Sequence, residues 1–90
     1  MTMNFLKWPP HLVRLAAPTL SKMIDQAAAY ETSKDYPAAL TVCNQILALD
    51  PLNRVAYQLR GIVRLQLNDT QNGRNDLDTA QSLFYQSPLR

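Results

Sequence analysis

The chain is expected to fold as an all-α domain of antiparallel helical hairpins stacked on one another, and three observations carry that expectation. Apolar residues recur at three- and four-residue spacing, with no strand-like alternation. Only two glycines occur, while Pro9-Pro10, Pro18, Pro37, Pro51 and Pro88 fall where helices would be joined. An offset of 34 residues brings the second half into register with the first, and periods of roughly 20–50 residues mark stacked supersecondary units. At 90 residues, 47% hydrophobic and 18% charged, the chain supports one packed domain and leaves no room for a separate catalytic one.

Residues 1–19 read as an N-terminal segment. Phe5, Leu6, Trp8, Leu12, Val13, Leu15 and Ala16 supply enough apolar surface for a short capping helix over 10–17, with Pro18 as the joint to the main body. A self-association surface and an anchor to a membrane or larger complex are the alternatives for the same residues. Helix one should start near Thr19 or Ser21, whose hydroxyls can accept from first-turn amides. Leu20, Met23, Ile24, Ala27, Ala28 and Tyr30 form its buried stripe, and it should end at Ser33-Lys34.

Asp35 is the expected N-cap of helix two, with Pro37 in a first turn where a missing N–H costs nothing. Leu40, Cys43, Ile46, Leu47 and Leu49 then lead to Asp50, where the following Pro51 disfavours helical geometry. Helix three should run from about Asn53 to Leu67 on Val55, Ala56, Tyr57, Leu59, Ile62, Val63 and Leu65. Helix four, from about Thr70 to Phe84, should be the weakest. Asn72, Gly73 and Asn75 are poor helix formers, and its stripe is reduced to Leu77, Ala80, Leu83 and Phe84, so fraying without a partner is expected.

The 34-residue offset pairs Met23 with Tyr57, Ala27 with Gly61, Ala29 with Val63, Asp35 with Asp69, Ala39 with Gly73, Cys43 with Leu77, Ile46 with Ala80 and Leu49 with Leu83. Helices approach closely only where side chains are small, so Ala27 facing Ala39, and Gly61 facing Gly73, should set the two crossings. Ala56-Tyr57-Gln58-Leu59-Arg60-Gly61 followed by Leu67-Asn68-Asp69, together with Ala27, Tyr30, Asp35-Tyr36, Ala39 and Asp50-Pro51, resembles the tetratricopeptide repeat family. The resemblance implies a short right-handed solenoid of two repeats, 20–53 and 54–87, followed by a tail at 88–90. Arg64, Thr70 and Tyr85 depart from the family pattern, standing where an aromatic, a tyrosine and a terminating proline belong.

In this family the first helix of each hairpin lines a concave groove that holds partner peptides. The resemblance therefore implies a groove of Ser21, Ile24, Asp25, Ala28 and Glu31 from repeat one and Val55, Gln58, Leu59, Ile62 and Leu65 from repeat two. Ile24 and Ala28 offer none of the donors that the family's capture of chaperone C-terminal carboxylates requires, which argues against that specificity. The chain's own termini could fill the groove instead. Phe5, Leu6 and Trp8 form an alternative partner-binding segment, since an exposed Trp beside apolar residues is a strong anchor for a protein surface.

Arg60 and Arg64 share a helical face and, with Arg54 and Arg74, could hold an acidic motif or phosphates, unless Asp69, Asp76 or Asp78 pairs with them. The formal net charge of +2 is too balanced for a dedicated nucleic-acid binder. His11 and Cys43 are the only soft-metal or nucleophile candidates, and Cys43 reads as core packing. No phosphate loop, paired carboxylates or metal cluster is visible, so neither enzyme activity nor a cofactor is expected. No secretory signal or 20-residue apolar run is seen, and a cytoplasmic or intracellular location is expected. The expected function is a non-catalytic adaptor or assembly factor binding a protein partner or peptide through the concave surface. Its alternative is a structural subunit of a larger, membrane-associated complex docked through Phe5 and Trp8. Self-association stays open under both.

Overall fold

The computed structural model describes residues 10–85, with side chains from residue 19 onward. Among the described residues the chain is all-α, with four helices and no strand: α1 (Pro10–Thr32), α2 (Tyr36–Leu49), α3 (Arg54–Gln66) and α4 (Thr70–Tyr85). None of the described helices is long and apolar enough to cross a membrane.

Two turns reverse the chain, and they are the same turn 34 residues apart. After α1, Lys34 takes a left-handed conformation (φ 65°) while the Lys34 N–H donates to Glu31 O at 3.0 Å and the Asp35 N–H to Tyr30 O at 2.8 Å. After α3, Asn68 takes the same φ of 65°, with Asn68 N–H donating to Leu65 O at 3.1 Å and Asp69 N–H to Arg64 O at 2.8 Å. Both are Schellman closures, which satisfy the last free carbonyls of a helix. The residue that ends each closure also starts the next helix, since Asp35 O accepts from the Ala39 N–H and Asp69 O from the Gly73 N–H. The connection between α2 and α3 is held differently: Asn53 Oδ1 caps α3 by accepting from the Ala56 N–H at 2.9 Å, while its Nδ2 donates to Asp50 at 3.1 Å.

Two features differ from the sequence expectation. Helix α1 is continuous through Pro18 for 23 residues, instead of a short piece over 10–17 followed by a joint. Pro18 has no N–H to give the carbonyl of Arg14, and the helix carries that missing bond within its length. Residues 10–19 therefore extend the first hairpin as one rod, and the capping role expected of their side chains lies outside the described residues. Leu49, one of the apolar residues expected along α2, is its last residue and 45% exposed, whereas Val42, outside that set, is buried in the core.

Core packing joins the hairpins. Ala27, Val42, Cys43, Ile46 and Ala56 form a buried cluster, with Leu20, Met23, Ile24, Tyr30, Leu47 and Leu59 packed against it. Within each hairpin the small pairs are buried, Ala27 with Ala39 and Gly61 with Gly73. The glycine crossing is the tighter one that sequence spacing predicts. A Cβ on Gly61 would lie 2.8 Å from Leu77 Cγ and 3.0 Å from the carbonyl oxygen of Gly73, and one on Gly73 would meet Leu65 Cδ2 at 2.8 Å and Gly61 O at 3.0 Å. Helix α4 is thus fully formed over 16 residues because Gly73, the residue that weakens it locally, permits that contact.

Replacing Gly61 by Ala should therefore destabilise the fold. Alanine gains about 1 kcal/mol of helix propensity, but overpacking against a backbone carbonyl and the branch carbon of a leucine costs about 1–3 kcal/mol. We expect a net loss near 1 kcal/mol and a fall in Tm of several degrees, read by circular dichroism. An unchanged or raised Tm would mean that the crossing is looser than described.

Candidate functional site

Helices α1 and α3 lie side by side, and the residues expected to line the groove occupy matched positions on them. Ser21, Asp25 and Gln58 are exposed, while Ala28, Glu31, Val55 and Ile62 are half-buried. Three others are committed to packing. Ile24 and Leu59 lie against the core cluster, and Leu65 covers Gly73 of α4. The apolar strip open to a partner is consequently narrower than the full set, centred on Ala28, Val55 and Ile62. Among the described residues no base pairs with Asp25 or Glu31, so its acidic edge is uncompensated. Phe5, Leu6 and Trp8 lie outside the described residues.

The arginines divide sharply. Asp76 on α4 is buried at 4% exposure and receives both Arg60 and Arg64. Arg60 donates through Nε to Oδ2 and through Nη2 to Oδ1, each at 2.9 Å, and Arg64 Nη1 adds a third bond to Oδ2 at 2.8 Å. A fork-to-fork pair of this kind is both stronger and more directional than a single ionic contact. Arg60 Nη1 reaches on to Asn44 Oδ1 of α2 at 2.9 Å, and its guanidinium lies 5.5 Å from the centre of the Tyr57 ring. The bonds to Asp76 raise the Arg60 pKa above its ordinary value, outweighing its partial desolvation. Arg60 and Arg64 are thereby consumed by the fold and are not a free anion clamp. Of the remaining two, Arg74 is exposed without an ion pair among the described residues, and Arg54 stands at the edge of a hollow.

That hollow, of about 260 Å³, opens between the first turns of α3 and the last turns of α4. Arg54 and Gln58 form one wall, and Leu77, Ala80 and Gln81 form the other. Phe84 and Tyr85 stand at the rim, 58% and 71% exposed, with their rings edge to face. Only Gln58 of this set figures among the groove candidates. The signal for the hollow was present in the repeat offset: Ala80 stands where the first hairpin has Ile46, and the smaller side chain leaves space.

Cys43 is buried with no exposed surface, and burial pushes its pKa up to about 11, partly opposed by the charge of Arg60. It is a packing residue with an unreactive thiol. The side chain of His11 lies outside the described residues. No group of three or more metal-ligating side chains comes together among the described residues.

No protein-family model matches this chain, and no curated protein and no solved structure matches it either.

Two outcomes follow from these contacts. Asp76→Ala leaves two arginines one turn apart without their shared carboxylate. Loss of one partner from a buried pair costs about 3–5 kcal/mol, and rehydration of the partly exposed arginines reduces this to about 2–3 kcal/mol in a urea titration. Arg64→Ala, which keeps the bidentate pair, should cost less than half as much. For Cys43, the unfolded chain loses its proton near pH 9 while the folded chain holds it to about 11. Stability should therefore fall as pH rises through that window, by up to about 1.4 kcal/mol per unit. Subtracting the same titration of Cys43→Ala isolates this contribution, and equal slopes in the two proteins would contradict it.

Proposed function

We propose that the chain is a non-catalytic protein-interaction module built as two tetratricopeptide-type repeats, 20–53 and 54–87, and that a partner peptide or subunit lies across the α1–α3 strip. The recurrence of one Schellman turn at Lys34 and Asn68 supports the repeat reading, as does the burial of small residues at the equivalent positions Ala27 and Gly61, and Ala39 and Gly73. The observation that carries the interaction reading is the strip itself. Ala28, Val55 and Ile62 are only half covered while flanked by unpaired acidic groups on α1.

A rigid frame makes such a strip useful. The side chains around it are fixed by packing, so little ordering cost is added on binding, and each partner side chain fully buried there contributes about 1.5–3 kcal/mol before those costs. The acidic edge favours a partner with basic residues beside its apolar ones.

The test compares capture of partners from the native cell extract by the full chain, by Ile62→Glu and by a control, Gln45→Glu, on the exposed side of α2. Circular dichroism first establishes that each is folded. We expect the same captured protein with the chain and the control, and a loss of at least about tenfold with Ile62→Glu. Equal capture by all three would overturn the groove reading.

A further inference from the structure

The hollow beside α4 is the second occurrence of a seat that the molecule itself shows occupied. In the first hairpin, Cys43 and Ile46 of α2 share one buried cluster with Ala56 of α3, and Leu20, Ile24, Leu47 and Leu59 pack against it. Moving 34 residues along the chain turns Cys43, Ile46, Leu20, Ile24 and Leu47 into Leu77, Ala80, Arg54, Gln58 and Gln81, the two walls of the hollow. The positions that pack against α3 on the first hairpin thus recur on the second as the lining of an open hollow, with altered chemistry. Ile46 has become Ala80, which opens space, while Leu20, Ile24 and Leu47 have become Arg54, Gln58 and Gln81, which supply polar groups.

We propose that this hollow docks a helix of a partner protein which presents a carboxylate to Arg54 and places one bulky apolar side chain over Ala80. Arg54 is the charge that calls for the carboxylate. It donates to Gln58 Oε1 at 3.4 Å and lies 5.5 Å from the centre of the Phe84 ring, but no Asp or Glu lines the hollow and none pairs with it among the described residues. A carboxylate arriving here gains a charge-assisted bond to a guanidinium already held over an aromatic face. Phe84 and Tyr85, the most exposed aromatic pair among the described residues, flank the seat and would be covered by the same helix.

A second copy stacked in the repeat register does not fit. It would bring α1 where α3 sits on the first seat, so that Asp25 takes the place of Leu59 and supplies a carboxylate, but Lys22 takes the place of Ala56, a fully buried position where a bulky apolar side chain is needed. An ammonium there would be stripped of water beside Arg54 with no acid in the walls to receive it. The seat is separate from the Ala28, Val55 and Ile62 strip, so this proposal stands or falls independently of the groove.

A probe can be built from the helix that fills the first seat. A synthetic peptide of residues 53–67 carrying Ala56→Leu and Leu59→Glu supplies the apolar side chain and the carboxylate. Titrated into the isotope-labelled full chain, it should shift the Ala80 methyl and the Gln58 and Gln81 side-chain amides together and saturably. Arg54→Glu, an exposed change favourable at a helix N-terminus, should weaken binding at least about tenfold. A peptide with Leu59→Lys should regain it on that variant. No shift at Ala80, or affinities indifferent to the charge swap, would overturn the proposal. So would contacts to Ala80 already present in the free chain, from Phe5, Trp8 or Leu89, or between labelled and unlabelled copies.

Discussion

One buried carboxylate, Asp76, fixes α4 to α3. Its two oxygens take three charge-assisted bonds from Arg60 and Arg64, and Arg60 continues to Asn44, so that α2, α3 and α4 meet in one polar network. No buried side-chain polar atom among the described residues is left without a partner, which is the condition under which such a network stabilises more than it costs. Helix α4 needs this anchor. Its first turns hold Asn72, Gly73 and Asn75, and its contribution to the apolar core is small, so the carboxylate and the glycine crossing supply what local propensity does not. Register along α4 is set at these two points, and the seat between Arg54 and Ala80 inherits its shape from them.

Much of the architecture was legible because it is local. A Schellman turn is determined by a handful of consecutive residues, as are the caps at Asp35 and Asn53, and a small pair at the right spacing announces a close crossing. What was not legible depends on partners distant in sequence. Asp69, Asp76 and Asp78 were equally plausible mates for the arginines. Asp69 is taken by the turn, where it accepts from the Asn72 side chain, and Asp78 faces solvent, which leaves Asp76. Ala29 and Val63 are equivalent by the repeat, yet Val63 is fully buried and Ala29 exposed, a difference set by packing between elements and not by spacing. Pro18 was read as a stop because its local effect is unfavourable, although a helix tolerates one lost bond when the turns around it form. Of the residues expected on the α1–α3 surface, Ile24, Leu59 and Leu65 are drawn into packing that no periodicity distinguishes from exposure.

The two flanks of the molecule consequently differ in character. On α1 the outward residues Lys22, Asp25 and Gln26 are polar and exposed, a surface at ease in water. On α3 and α4 the corresponding flank is a hollow with a cation, two amides and two uncovered aromatic rings.

The most direct measurement is analytical ultracentrifugation of the full-length chain over a wide concentration series, with circular dichroism on the same samples. A helical monomer whose sedimentation coefficient does not rise with concentration is the predicted result, because a second copy in the repeat register would bury Lys22 where the first seat holds Ala56. A concentration-dependent dimer, or helicity that appears only on association, would contradict the account and show that the chain completes its fold with itself.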